Sequence, residues 1–157
     1  VDVTEEQMDH MSADASVKWE ERQYELTSVW GEPVDRWDNG IYFVHSTRMG
    51  ETAGVLLTEG QAPAAENEAA LPPHVAEGLG IPAKVGETFG LPLSGKAAGA
   101  SVQMVVSGVM EPQGHYEVAG TNMLFVSRAF VDRYAKLGTM WEDTGPVASG
   151  LFLHFQD

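Results

Sequence analysis

The chain has no cysteine among its 157 residues. That removes disulfides, thiol catalysis and every cysteine-containing zinc site from consideration. Basic residues are scarce: nine Lys and Arg stand against 23 Asp and Glu, for a formal charge of −14. Recognition of phosphate backbones or anionic lipid surfaces needs clustered Lys and Arg. The nine are spread along the chain, so nucleic acid is excluded as a partner. The sequence shows no run of 18 apolar residues, no signal-peptide pattern and no internal repeat. What is present suits a folded globule: 43% hydrophobic residues and four Trp argue against disorder. The length serves one domain, or two small lobes, with a real core.

Local signals alternate between helix and strand. Thr4, Glu5, Glu6 and Gln7 read as a capping box, with Val3 and Met8 placed as a hydrophobic staple. Met8, Met11 and Ala15 follow at helical spacing. Val17 to Trp30 is rich in β-formers, and its change of apolar parity between Trp19 and Tyr24 predicts a bulge or twist. Asp38-Asn39-Gly40 signals a tight turn before a strand from Ile41 to Thr47. Glu59 to Glu66 reads as a loop.

The stretch from Asn67 to Leu93 is the most structured in its signals: a strand, a short helix, a turn and a second strand. Pro72 and Pro73 suit a helix start, Val75, Ala76 and Leu79 form its apolar face, and Gly80 is a stop at which positive φ is expected. Pro82 forbids continuation. Gly86 makes the turn, and Thr88 to Leu93 resumes in extended form. A β-run from Ser101 to Met110 precedes a loop from Glu111 to Gly120. Met123 to Val126 is a short strand. Ser127 caps a helix with Phe130, Val131, Tyr134 and Leu137 on its apolar face and Gly138 as its stop. Gly150 to Phe155 is a final strand.

Apparent catalytic motifs fail on context. Gly90 to Ala97 nearly matches a P-loop, but Ala97 replaces the hydroxyl residue that binds Mg²⁺, and no helix start follows. Gly78 to Ala83 mimics a dinucleotide fingerprint, but it ends a helix instead of opening one. The five histidines, His10, His45, His74, His115 and His154, show no metal-ligand spacing. Ser107 lies inside a strand and outside any nucleophile motif. The acidic pairs Glu5-Glu6 and Glu20-Glu21 read as solvated surface. Neither catalytic residue, cofactor nor metal site is predicted. Trp37, Tyr116 and Trp141 fall in predicted loops and are the best partner-contact candidates.

The order Asn67, Glu68, Leu71, then Ala76, Leu79, Gly80, Ile81, then Lys84, Val85, Gly86, Glu87 resembles a pattern in the extracytoplasmic domain of FtsX-like/MacB-like ABC transporter permeases. Two departures are the Pro72-Pro73 pair at the helix start and a spacer lengthened by Pro82-Ala83. The opening helix with its Val17-Lys18-Trp19 strand, the strand Val102 to Met110, and the unit Met123 to Leu137 extend the resemblance over most of the chain. It implies an α+β fold, with helices packed on a mixed sheet. A porter-like lobe would span about 1–50 and 121–157, and a smaller β-rich lobe about 51–120. The Leu71 to Leu93 unit would form a hinge between them.

The resemblance also implies a function. Such a domain would couple ATP-driven motion of membrane helices to substrate or partner-protein handling outside a bacterial membrane, and would not be an enzyme. Its partners would be the transmembrane helices of the same permease, a cytoplasmic ATPase acting indirectly, and an extracytoplasmic protein or a lipid or peptide substrate. The parent gene is then expected to place an apolar run of about 20 residues on either side. Two other classes stay open at this stage. A free-standing extracellular binding or adhesion module would lack those flanking spans. A hydrolase would gather scattered carboxylates or histidines in one pocket.

Overall fold

The runs Ala69–Leu71 and Met123–Val126 have no polar face to present, so each is stable only with both sides covered. Both form central strands of the computed structural model, which describes residues 3–31, 40–49, 55–94, 98–112, 122–134, 147–148 and 150–155. The element order is β1 (Val3–Thr4), α1 (Glu5–Ser12), β2 (Val17–Gly31), β3 (Ile41–Ser46), β4 (Val55–Gly60), β5 (Glu68–Leu71), α2 (Pro73–Leu79), β6 (Thr88–Pro92), β7 (Ser101–Pro112), β8 (Met123–Val126), α3 (Arg128–Tyr134), β9 (Val147–Ala148) and β10 (Gly150–Phe155). An eight-stranded sheet runs β10-β2-β3-β8-β5-β7-β4, with β6 also on β7, and β1 pairs with β9 in a separate two-stranded ladder. The β3–β8 and β5–β7 pairs are parallel and the others antiparallel, so the fold is α+β with a mixed sheet. None of the described helices is long and apolar enough to cross a membrane.

Strand alternation divides the core in two. Leu124 and Val126 join Tyr24, Ile41, Phe43, Ala69 and Leu71 against Met8 of α1, Val75 and Ala76 of α2, and Phe130, Val131 and Tyr134 of α3. Met123 and Phe125 join Val44, Ala70 and Met110 in a second cluster, which Met49 completes. Along β7 the buried parity changes, with Met104 and Val106 but then Val109 in the first cluster. The cause is a bulge: Ala69 faces Val106 while Ala70 faces Gly108, leaving Ser107 as the extra residue. Its hydroxyl donates to Gln61 O at 3.0 Å, so Ser107 serves sheet structure.

Several local expectations hold. Thr4 Oγ1 accepts from Gln7 N at 3.2 Å while Gln7 Oε1 accepts from Thr4 N at 2.9 Å, closing the capping box. Helix α2 ends with Gly80 at φ 74°, Gly80 N donating to Glu77 O and Ile81 N to Ala76 O, a Schellman motif. Ser127 Oγ accepts from Phe130 N at 3.1 Å to cap α3.

Others are corrected. Helix α1 stops at Ser12 and buries Met8, whereas Met11 is exposed. Pairing from Trp19 to Gln23 is regular, and the register shift of β2 against β10 falls just before it, between Val17 and Trp19. Residues 55–60, including Glu59 and Gly60, form strand β4, whose alternation is broken by its own irregularity between Leu57 and Glu59. Val85 is exposed and Leu79 only half-buried, so the apolar series from Val75 to Phe89 is not uniformly core.

Candidate functional site

Spacing places charges in register on three elements. Glu5 and Asp9 are four apart on α1, Arg128 and Asp132 four apart on α3, and Glu20, Arg22 and Tyr24 share one face of β2. These faces meet. Arg22 Nη1 lies 2.6 Å from Glu5 Oε2, and its Nη2 lies 2.7 Å from Asp9 Oδ1 and 2.9 Å from Glu20 Oε1. Arg128 Nη1 reaches Glu5 Oε1 at 2.9 Å and donates to Tyr24 Oη at 3.1 Å, while its Nε pairs with Asp132 at 2.8 Å. Tyr24 Oη donates to Glu5 Oε1 at 2.5 Å. Ser12 Oγ donates to Glu20 Oε2. Glu5 thus bridges two guanidiniums and a phenol, at a helix start where the dipole also favours a carboxylate.

Ionisation follows this geometry. Partial burial pushes the Glu5 carboxyl up, but the Tyr24 hydroxyl with Arg128 and Arg22 outweighs it and holds Glu5 below the usual carboxylate range. Burial, reinforced by the Glu5 carboxylate, pushes the Tyr24 phenol up to about 12. His45 sits behind this cluster, its ring 5.8 Å from that of Tyr24 and its Nδ1 bonded to Val126 O at 2.8 Å. Burial, with Arg128 nearby, pushes the imidazole below its ordinary value despite that bond. Both oxygens of Glu5 are therefore engaged by donors. The cluster fastens α1 to β2 and α3; it does not present a free base or nucleophile.

The acidic pairs are not the uniform solvated surface expected of them. Glu5 and Glu20 belong to this cluster: Glu20 shares a face of β2 with Arg22, and Glu5 reaches Arg22 from α1. Glu21, on the opposite face of β2, is buried and accepts from Ser46 Oγ at 2.6 Å and Gln23 Nε2 at 3.4 Å. Nearby, Trp19 stacks on His154 with ring centroids 4.7 Å apart, and the Arg48 guanidinium lies 4.5 Å from the Trp19 centroid. Among the described residues no group of three or more His, Asp or Glu is placed to hold a metal ion. Trp37, Tyr116 and Trp141 lie outside the described residues, as do Lys96, His115 and Leu137.

No family model matches the chain, and no curated protein matches it in sequence. Solved structures do match over nearly its whole length. The extracellular domain of the noncanonic ABC-type transporter YknZ from Gram-positive bacteria superposes with a TM-score of 0.63 at 13% identity, covering 99% of this chain and 74% of that one. The periplasmic region of MacB from Actinobacillus actinomycetemcomitans gives 0.61 at 12% identity, covering 99% and 65%. A domain assigned to a permease protein of Porphyromonas gingivalis gives 0.59 at 10%, covering 94% and 60%. Against the last two, the chain spans slightly less than two thirds of their length. The chain has the fold of the extracytoplasmic domains of ABC-type transporter permeases.

Proposed function

We propose that the chain is the extracytoplasmic domain of an ABC transporter permease, without catalytic activity of its own. It couples ATP-driven motion of the membrane helices to the handling of a substrate or protein partner outside the membrane. One observation carries this reading: 99% of the chain is accounted for by the fold of an ABC transporter's extracellular domain. Fold alone does not fix function. The Glu5 cluster, in which both Glu5 oxygens are engaged by donors, supports a mechanical role over a chemical one.

On this reading residues about 1–50 and 121–157 form the porter-like lobe and about 51–120 the β-rich lobe. The two would meet where Ala69 pairs with Val126 and Ala70 with Phe125. Trp37, Tyr116 and Trp141 would contact an extracytoplasmic protein, or a lipid or peptide. The cytoplasmic ATPase would act on the domain indirectly, through the transmembrane helices of the same permease.

The test is to purify the full-length protein with its ATPase and compare amide exchange in this domain before and after trapping with Mg-ATP and vanadate. Exchange that changes on trapping supports coupling. Failure of any ATPase to co-purify, or unchanged exchange, contradicts it.

A further inference from the structure

Helix α1 is held differently from the other helices. Over its eight residues it buries one side chain, Met8, whereas the seven residues of α3 bury Phe130, Val131 and Tyr134. Met11 is 47% exposed. At its start α1 is tethered by the two-residue β1–β9 ladder, and at its end by the turn in which Val17 N donates to Asp14 O. Between these short tethers, Met8 apart, the hold is polar: Glu5 and Asp9 on Arg22, Glu5 on Arg128 and Tyr24, and Ser12 on Glu20. Elements with few apolar contacts open at lower free energy than the core around them.

We propose that α1 is a releasable element, latched to the sheet by Glu5 and Asp9 on Arg22 and Arg128, and that discharging this latch frees it ahead of global unfolding. The groups facing Glu5 fall into two sets: Arg22, Arg128 and the Tyr24 hydroxyl hold it, and Glu20 and Asp132 share the same guanidiniums. From β2 come Arg22, Glu20 and Tyr24; from α3, Arg128 and Asp132; from β3, His45 behind Tyr24. Acid neutralises Glu5, the carboxylate of α1 that bridges both guanidiniums, while Arg22 keeps Glu20 on its own strand and Arg128 keeps Asp132 on its own helix. It also charges His45, adding repulsion to Arg128. Each change weakens the hold on α1 and leaves the apolar contacts of α2 and α3 in place. This holds for the 157-residue chain on its own, whatever it is attached to.

Because the chain has no cysteine, Met11→Cys gives a unique attachment point for a nitroxide. The continuous-wave spectrum reports the mobile fraction of α1, and circular dichroism follows the sheet in the same samples. On acidification the mobile fraction rises before the sheet signal falls. At neutral pH, Glu5→Gln raises the mobile fraction about tenfold, the effect of losing charge-assisted bonds to two guanidiniums. Arg133→Met, which removes the exposed pair with Glu66 at the far end of α3, leaves it unchanged. Loss of the α1 and sheet signals together, either in acid or in Glu5→Gln, would overturn the proposal. So would a label that stays immobile in Glu5→Gln at neutral pH.

Discussion

Two glycines share one backbone conformation and differ in their surroundings, so they separate two costs. Gly60 has φ 73° and Gly80 has φ 74°. Alanine at either must adopt a left-handed conformation, which costs about 1–2 kcal/mol. A Cβ at Gly80 meets nothing within 4 Å, so Gly80→Ala should cost only that. A Cβ at Gly60 would overlap the Ser107 carbonyl oxygen, lie 2.6 Å from Val85 Cγ2 and 3.0 Å from Gly108 Cα. Two of these neighbours are backbone of the β7 bulge and cannot rotate away. Overpacking of this kind adds about 1–3 kcal/mol, so Gly60→Ala should cost about 2–5 kcal/mol in all. Urea denaturation with a shared m-value measures the difference directly. In thermal melts it appears as about 2–4 °C for each kcal/mol. If Gly60→Ala costs no more than Gly80→Ala, β4 does not approach the β7 bulge this closely, and the sheet order at that edge is wrong.

Burial grades a second pair: Leu71→Ala, at a fully buried position, should cost about 2–5 kcal/mol, whereas Leu79→Ala, at a half-buried one, should cost about 1–2 kcal/mol in the same melts. Stability should fall in two stages on acidification. His45 is held neutral below its ordinary 6.5, so stability is lost as the pH falls below about 6.5, where the unfolded chain takes up the proton first. Glu5 is held below 4.5, so its contribution is intact above that value and is lost as the pH falls through the lower folded value. His45→Gln should flatten the first stage and Glu5→Gln the second; pH titrations of urea midpoints that show no change in either variant would contradict the assignment. Calorimetric titration of the domain with Mg-ATP and with zinc should give no saturable heat, and micromolar binding of either would contradict a non-catalytic role.

Local chemistry was legible where one segment decides the outcome. The Thr4–Gln7 box, the Pro73 start, the Gly80 stop and the Ser127 cap each depend on neighbours within four residues, and each is where the sequence puts it. Features that depend on distant segments were not. Nothing between Val102 and Met110 marks Ser107 as a bulge, because the bulge exists only against Ala69 and Ala70 of β5. Strand β4 was missed because its short apolar run passes into Thr58-Glu59-Gly60, whose irregularity matters only beside β7. The Glu5 cluster was half visible: the spacings Glu5/Asp9, Glu20/Arg22 and Arg128/Asp132 align charges on single faces. That the three faces converge is set by the β2–β3–β8 pairing and the placement of α3 directly after β8. Of the proposed contact residues, Trp37, Tyr116 and Trp141 remain sequence-based expectations.

The central claim is that this domain stands outside a membrane as part of a permease. The most direct test places cysteine at the exposed position Met11 in the full-length protein, cleared of other cysteines, and treats intact cells with a membrane-impermeant maleimide. The account predicts labelling without lysis, on a protein that sediments with membranes. Labelling only after lysis, or recovery of the protein in the soluble fraction, would contradict it.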